Sequence, residues 1–159
     1  MNTKPEWCFS WADAFAAGPS VVGGKGWNLA RLARYGFRVP VGGVLSVAAC
    51  QRFLDYHGLR PEELAKAPNR IDALPLPDDL AQAIDAALEG WDIAATPLAV
   101  RSSAVAEDSA NASFAGVLES FLNVRRREDL HRAIRHCWAS AWSARACAYR
   151  ERMSIAADA

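Results

Sequence analysis

The sequence predicts a mixed α+β fold, within the broad α/β class, in which helices pack on a small sheet. Three observations lead to this prediction: apolar residues recur at helical spacing in several segments, short alternating segments are typical of strands, and no segment repeats. The 159 residues fit one ordinary domain. A chain of this size buries about 68–70% of its unfolded surface. We therefore expect residues 1–159 to form a single domain with its own core.

Short elements are predicted for the first third of the chain. A strand and a turn of helix are expected over 7–17, stopped by Gly18-Pro19. A helix is expected after the glycine-rich segment 21–28, with Leu29, Leu32 and Ala33 at helical spacing. Gly36 is well placed to end that helix.

The next elements are a strand, a helix and an irregular segment. Residues 37–46 read as a turn that leads into a short strand, and Ser46 is expected to cap a helix over 47–57. Four prolines keep 60–77 mostly irregular, apart from a short helix near 62–66.

The remaining elements are a helix, two strands and a long helix. Asp78 or Asp79 is expected to cap a helix over 80–88. Strands are expected over 97–102 and 117–124, and one long helix over 127–153.

Charge and composition exclude several classes of protein. Eighteen basic and eighteen acidic residues give no net charge, which argues against a protein that grips nucleic acid or an anionic membrane by its overall field. No apolar run approaches the roughly 20 residues of a membrane span, and the N-terminal residues lack the layout of a signal peptide. The four cysteines form no CxxC pair, which favours reduced thiols and a cytoplasmic protein.

The segment Gly23-Gly24-Lys25-Gly26 is the first candidate for a binding site. Glycines before a helix allow backbone N–H groups to approach an anion, and the helix N-terminus favours negative charge. Lys25 is one of only three lysines and would add a mobile positive charge for a phosphate. The spacing does not match the Walker A motif. The alternative is an ordinary glycine turn with a surface lysine.

The second candidate is the segment 99–108, AVRSSAVAED, together with 112–116, ASFAG. Arg101 ends an apolar strand, where its inward-leaning position in the pattern requires a partner for its charge. A phosphate would be such a partner, and so would Glu107 or Asp108 in a structural ion pair. The ASFAG loop suits closure over phosphates. Its alternative is a hairpin turn in which Phe114 fills the core.

These segments together resemble the N-terminal nucleotide-binding domain shared by phosphoenolpyruvate synthase, pyruvate phosphate dikinase and rifampicin phosphotransferase. Residues 23–29 resemble the family's GGKGxNL motif, and residues 101–108 resemble its RSSATAED motif. Residues 112–116 match ASFAG, and 122–124 resemble the LNV that follows. Residues 137–140, CWAS, together with 145–146 and 149–150, resemble the family's CWAS…RA…YR helix. The matches occur in the family's order over nearly the whole chain.

The resemblance implies an ATP-grasp fold, of which this chain would be the first subdomain. In the family, the lysine of GGKG and the arginine of RSS hold the phosphates of ATP, and the SFAG loop closes over them. Those roles would fall to Lys25 and Arg101, with Ser120 at a threonine position. The loop residues carried over in the same way are Ser113, Phe114, Ala115 and Gly116.

The resemblance also implies machinery outside these 159 residues. The family passes a phosphoryl group from ATP to a histidine on a mobile domain, and then to an acceptor such as pyruvate. The second ATP-grasp subdomain, the ligands of Mg²⁺, the phosphocarrier histidine domain and the pyruvate-binding barrel would lie elsewhere. We therefore expect the isolated chain to be catalytically silent, and to self-associate through the face that the second subdomain would cover.

Some positions depart from the family pattern and support an alternative function. Val105 stands where threonine is usual, Val117-Leu118 follow Gly116 where glutamine is expected, and Trp27 replaces a small residue. A loop that has lost polar groups near the phosphates is also compatible with a non-catalytic nucleotide-binding or protein-interaction module.

Overall fold

The computed structural model describes residues 7–103 and 119–153, which belong to two compact units. Of the described residues, 7–52 and Ser103 belong to the first unit, and 53–102 and 119–153 belong to the second. The boundaries fall within a helix and between Ser102 and Ser103. The prediction of one domain over residues 1–159 stays a prediction.

The first unit combines a two-stranded sheet with helices. Its elements are β1 (Cys8–Ser10), α1 (Trp11–Ala17), α2 (Pro19–Arg34), β2 (Gly43–Leu45) and the start of α3 (Val47–Tyr56). The strands β1 and β2 are antiparallel, with Phe9 opposite Val44. The predicted strand, turn and helix near the N-terminus are thereby confirmed, as is the strand before α3.

The core of the first unit is built mainly from small and aromatic side chains. Phe9, Ala14, Val22 and Ala30 are buried, and the partly buried side chains around them include several aromatic rings. The buried face of α2 therefore carries valine, glycine and alanine. The prediction that Leu29, Leu32 and Ala33 form the apolar face of this helix was wrong for Leu32, which is 42% exposed.

Helix α2 ends as the sequence predicts. Gly36 has a positive φ of 82°, which suits glycine. Its N–H donates to the carbonyl of Ala33, and the N–H of Phe37 donates to the carbonyl of Leu32. This pair of hydrogen bonds is a Schellman motif, which satisfies carbonyl groups that the end of a helix leaves unpaired.

The second unit places helices against another antiparallel strand pair. After α3 its elements are α4 (Pro61–Leu64), a short 3₁₀ turn (Pro68–Arg70), α5 (Asp78–Ala87), β3 (Leu98–Arg101), β4 (Ser120–Val124), α6 (Arg127–Ser140) and α7 (Ala144–Met153). Helix α6 packs on both strands. The largest side chains of its core with no exposed surface are Phe53, Leu64, Ile71 and Leu80.

Two helix boundaries differ from the prediction. Helix α5 begins at Asp78, after Pro77, and no side chain caps it. The two aspartates instead lie in its first turn, where the helix dipole favours negative charge.

The predicted single helix over 127–153 is in fact two helices. The chain turns at 141–143 through backbone hydrogen bonds between residues three apart. The hydroxyl of Ser143 then accepts from the N–H of Ala146 and caps α7. The buried Arg150 donates to the carbonyl of Ala141, which fixes α7 to this turn.

The described residues confirm the predicted fold class. They contain seven α-helices and two small antiparallel sheets. Among these helices none has the length and hydropathy that a membrane span requires.

Candidate functional site

The glycine-rich segment lies at a break inside α2. Gly23 has φ 74° and ψ 165°, so the helical turn that starts at Pro19 stops there and a second helical segment starts after it. Such a backbone conformation is essentially restricted to glycine. The predicted glycine turn before a helix is therefore present, with an additional helical turn in front of it.

The hydroxyl of Ser103 bridges this break. It donates to the carbonyl of Val22 at 2.9 Å and accepts from the N–H of Gly26 at 2.8 Å. In an uninterrupted α-helix the N–H of residue 26 would bond directly to the carbonyl of residue 22. The hydroxyl is thus inserted into one hydrogen bond of the helix, and we call this arrangement the Ser103 bridge.

Ser103 fits against the helix break only because Gly23 and Gly26 have no side chains. A Cβ atom on Gly23 would lie 1.9 Å from the carbonyl oxygen of Ser103. A Cβ atom on Gly26 would lie 2.9 Å from the methyl groups of Val44 and 3.3 Å from the Ser103 hydroxyl. The glycine-rich segment therefore has a packing role that the sequence pattern alone did not reveal.

Lys25 lies within the segment that the Ser103 bridge spans. Its side chain is half-buried, whereas Gly24 and Gly26 on either side are buried. Because the second helical segment starts here, Lys25 stands where the backbone N–H groups of a helix N-terminus add positive potential. The lysine and the helix start together favour a negatively charged ligand.

Trp27 fits the first unit despite replacing a residue that is usually small in the family. Its indole N–H donates to the carbonyl of Phe15 at 3.3 Å. The guanidinium of Arg31 lies 4.8 Å from the centre of the indole ring, which is a cation–π contact. The tryptophan thus joins α1 to α2 without interrupting the glycine-rich segment.

Arg101 and Ser120 lie opposite each other at the ends of β3 and β4. They are register partners in the antiparallel pair, and both are exposed. Opposite residues in such a pair are close enough for their side chains to act on the same group. The structure thus brings together two of the predicted site residues. The expectation that Arg101 leans inward was wrong, since burial along β3 alternates and places Arg101 on the exposed face.

An irregular register near the other end of this strand pair explains the asparagine of the LNV segment. The pairing shifts between Leu98 and Val100, and Asn123 has a positive φ of 59°. Asparagine tolerates this left-handed conformation better than most residues. Its side-chain oxygen accepts from the Nε of Arg125 at 2.9 Å. The asparagine therefore shapes the strand, and nothing requires it to contact a ligand.

Helix α6 fixes the ends of both strands through the CWAS segment. The thiol of Cys137 lies 3.7 Å from the carbonyl oxygens of Val100 and Glu119. The hydroxyl of Ser140 accepts from the N–H of Glu119 at 3.3 Å and donates to the carbonyl of Cys137 at 2.7 Å. Val100 precedes Arg101, and Glu119 precedes Ser120. The segment therefore holds the backbone directly beside both predicted site residues.

This arrangement predicts a measurable cost for removing the Ser140 hydroxyl. The substitution Ser140→Ala breaks two hydrogen bonds at a buried position. We expect it to lower the free energy of unfolding by about 1–2 kcal/mol, as measured by urea titration. The exposed Ser20 supplies the control, since Ser20→Ala is expected to change stability by less than about 0.5 kcal/mol. Equal effects of the two substitutions would contradict the role of Ser140.

The predicted site residues are divided between the two units and the part of the chain outside the described residues. Lys25 belongs to the first unit, and Arg101 and Ser120 belong to the second. The predicted loop residues Ser113, Phe114, Ala115 and Gly116 lie outside the described residues, as do Glu107 and Asp108. Sequence reasoning missed Ser103, although Ser102 and Ser103 directly follow Arg101 in the sequence and their hydroxyls were a visible signal.

The other reactive side chains of the described residues do not form a second site. Burial raises the pKa of the Cys50 thiol to about 12, so it is protonated at neutral pH and a poor nucleophile. His131 contacts Asp85 at 3.0 Å and His136 contacts Asp72 at 2.8 Å, both within the second unit. Residues 7–103 and 119–153 contain no cluster of three or more histidine, cysteine or acidic side chains suited to a metal.

Comparison with known families places the chain in the class of AMP/ATP-binding domains. Residues 19–159 match the family model described as pyruvate phosphate dikinase, AMP/ATP-binding domain. The chain belongs to this family, which confirms the resemblance found in the sequence.

Curated relatives point to the same group of enzymes. A rifampicin phosphotransferase from a Streptomyces species is 38% identical over 165 residues, which cover 90% of this chain and 19% of the relative. A probable phosphoenolpyruvate synthase from Methanothermobacter thermautotrophicus is 35% identical, with 82% of this chain and 22% of the relative covered. The phosphoenolpyruvate synthase of Aeropyrum pernix is 35% identical, with 85% and 19% covered. The chain spans about a fifth of the length of these relatives and corresponds to the ATP-binding part of a phosphoenolpyruvate synthase-like phosphotransferase.

Proposed function

We propose that this chain is the first subdomain of an ATP-grasp fold and that it holds the phosphates of ATP. Lys25, Arg101 and Ser120 would contact the phosphates, and the loop of Ser113, Phe114, Ala115 and Gly116 would close over them. The observation that carries this proposal is the glycine-dependent break in α2, which sets Lys25 at the start of a helical segment.

Local electrostatics support this assignment. The start of a helical segment and Lys25 both favour the binding of an anion. Both features belong to the first unit. Arg101 is exposed, so its guanidinium is available for a two-pronged contact with phosphate oxygens. The hydroxyl of Ser120 stands opposite it and is able to donate a further hydrogen bond. Although the chain has no net charge, these groups are locally suited to binding a polyanion such as the phosphates of ATP.

The proposed reaction of the whole protein is phosphoryl transfer from ATP to a histidine and then to an acceptor such as pyruvate. Catalysis of phosphoryl transfer consists mostly of positioning and charge neutralisation. Lys25 and Arg101 would supply part of both in this chain. The second ATP-grasp subdomain, the histidine domain and the acceptor site would belong to a larger phosphotransferase, so we do not expect turnover by the isolated chain.

Magnesium is proposed to accompany ATP, as it does in phosphoryl transfer generally, where it neutralises phosphate charge. The described residues do not offer a set of ligands for it, since they contain no suitable cluster of acidic side chains. We therefore assign no magnesium ligand to the described residues.

A cytoplasmic location is also proposed. ATP is available there, and glutathione and thioredoxin keep thiols reduced. The four cysteines, Cys8, Cys50, Cys137 and Cys147, all lie in the described part of the chain and form no disulfide there.

A calorimetric titration of the chain with ATP and magnesium tests the proposed function. We expect saturable binding, and a loss of affinity of about 10-fold or more in Arg101→Ala, because a charge-assisted hydrogen bond is removed. Arg125→Ala is the matched control, because Arg125 lies beyond the other end of the same strand pair, where it contacts Ala94 and Asn123. A folded chain without detectable binding would contradict the proposal, and so would equal affinity of the two variants.

We further propose that the isolated chain self-associates through an uncovered apolar surface. Leu122 on β4 is 72% exposed, so its apolar side chain is accessible to a second copy of the chain. Light scattering at rising concentration should detect dimers or larger species, and Leu122→Ser should shift them toward the monomer. A wild-type chain that stays monomeric at high concentration would contradict this proposal.

A further inference from the structure

We propose that Ser103 is a positioning residue that sets the place of Lys25, and that the Ser103 bridge is needed for phosphate binding as well as for folding. This inference rests on the proposed function. The hydroxyl of Ser103 acts through the backbone on either side of Lys25.

The Ser103 hydroxyl joins two backbone atoms that belong to the same helical turn. The carbonyl of Val22 and the N–H of Gly26 are partners in the regular α-helical pattern. The Ser103 hydroxyl meets both, at 2.9 Å and 2.8 Å, and so keeps them from bonding directly. Insertion of a side chain into the hydrogen-bond ladder is a recognised cause of a helix kink.

The segment enclosed by these two atoms consists of Gly23, Gly24 and Lys25. The positive φ of Gly23 has no counterpart in a continuous helix, so this backbone shape depends on the break. Both ends of the segment are held by one hydroxyl. Without the hydroxyl, the Gly26 N–H and the Val22 carbonyl both lose the partner that holds them in place, and the backbone of Lys25 between them is expected to move.

The surrounding contacts show that the position of Ser103 is closely defined. Its backbone carbonyl occupies the space where a side chain on Gly23 would lie, and its hydroxyl lies 3.3 Å from the position of a Cβ atom on Gly26. These contacts all belong to the first unit. Along the chain, Ser103 is separated from Arg101 by one residue. One short segment therefore carries the proposed phosphate-binding arginine and the serine that shapes the lysine segment.

The test uses the complete chain and the variant Ser103→Ala. We expect the Gly26 amide to exchange with deuterium about 10-fold faster in the variant, since an ordinary hydrogen bond is lost. We also expect the affinity for ATP to fall about 10-fold while the affinity for AMP changes little. AMP carries only the α-phosphate and lacks the outer phosphates that Lys25 is proposed to contact. A purely structural serine would lower both affinities alike. Ser102→Ala is the matched control and should leave Gly26 exchange unchanged.

The outcomes separate this inference from the proposed function. Unchanged Gly26 exchange in folded Ser103→Ala would overturn the Ser103 bridge, and faster exchange with an unchanged ratio of ATP to AMP affinity would overturn the positioning role. If the wild-type chain binds neither nucleotide, the proposed function fails and the positioning role fails with it, whereas the exchange rates still report on the bridge. If Ser103→Ala does not fold, the Ser103 bridge is tested in the wild-type chain instead. A nuclear Overhauser effect between the Ser103 β-protons and the Gly26 amide proton supports the bridge, and its absence overturns it.

Discussion

Replacement of Gly23 by alanine is expected to lower the free energy of unfolding by about 2–6 kcal/mol. Two effects add: an L side chain in this backbone conformation costs about 1–3 kcal/mol, and overpacking costs about 1–3 kcal/mol more. The second effect arises because the new Cβ would lie 1.9 Å from the carbonyl oxygen of Ser103. Either Ser103 or the start of the second helical segment must move. Urea titration followed by circular dichroism measures the change.

Gly18 is a closely matched control for this substitution. Its φ of 85° and ψ of 166° are near those of Gly23, so alanine at either position meets the same backbone strain. A Cβ atom on Gly18, however, has no neighbour within 4 Å. The difference between Gly18→Ala and Gly23→Ala therefore isolates the contact with Ser103. If the two variants lose the same stability, the close approach of Ser103 to the glycine segment is wrong.

Replacement of Lys25 by methionine is expected to weaken ATP binding by about 10- to 100-fold. Methionine keeps much of the length of the side chain and removes its charge, and hydrogen bonds to charged groups contribute about 1.5–3 kcal/mol. Lys25 lies in the segment under the Ser103 bridge, where the helix start contributes further positive potential. Isothermal titration calorimetry with ATP and magnesium gives the affinity, and thermal unfolding shows whether the variant is folded.

Lys66 provides the comparison for Lys25. It is an exposed lysine of the second unit, outside every segment that resembles the family motifs. Lys66→Met removes one positive charge, as Lys25→Met does, and so controls for the general electrostatic attraction of ATP. We expect its affinity for ATP to stay within about twofold of the wild type, given the weakness of screened surface charges. Equal losses in both lysine variants would contradict a specific role of Lys25.

Local rules predicted most elements of the fold from the sequence. The helix end at Gly36 depends on the backbone preference of glycine, and the alternating burial of residues 98–101 depends on strand geometry. Both can be recognised from a few neighbouring residues. The break between α6 and α7 was missed because helical periodicity continues through it. What ends α6 there is a local turn together with the cap at Ser143, and a hydroxyl within a helical pattern is a weak signal of a cap.

The site was predicted in part, and the missing part has a definite physical cause. Lys25 and Arg101 stood out because charge and glycine content are visible in the sequence. The role of Ser103 depends on a contact with residues 77 and 81 positions earlier in the chain, which no local pattern encodes. The burial of Arg101 was misjudged for a similar reason. An arginine at the end of an apolar strand is compatible with either face, and packing of the strand pair against α6 decides which face is exposed.

The ratio of ATP to AMP affinity tests the central claim most directly, namely that Lys25 and Arg101 hold phosphates of the same nucleotide. Calorimetric titrations of the wild type, Lys25→Met and Arg101→Ala with both nucleotides supply it. We expect ATP to bind more tightly than AMP to the wild type, and each substitution to lower the ratio by about 10-fold because charged contacts to the outer phosphates are lost. A ratio that stays the same in all three folded proteins would contradict the account.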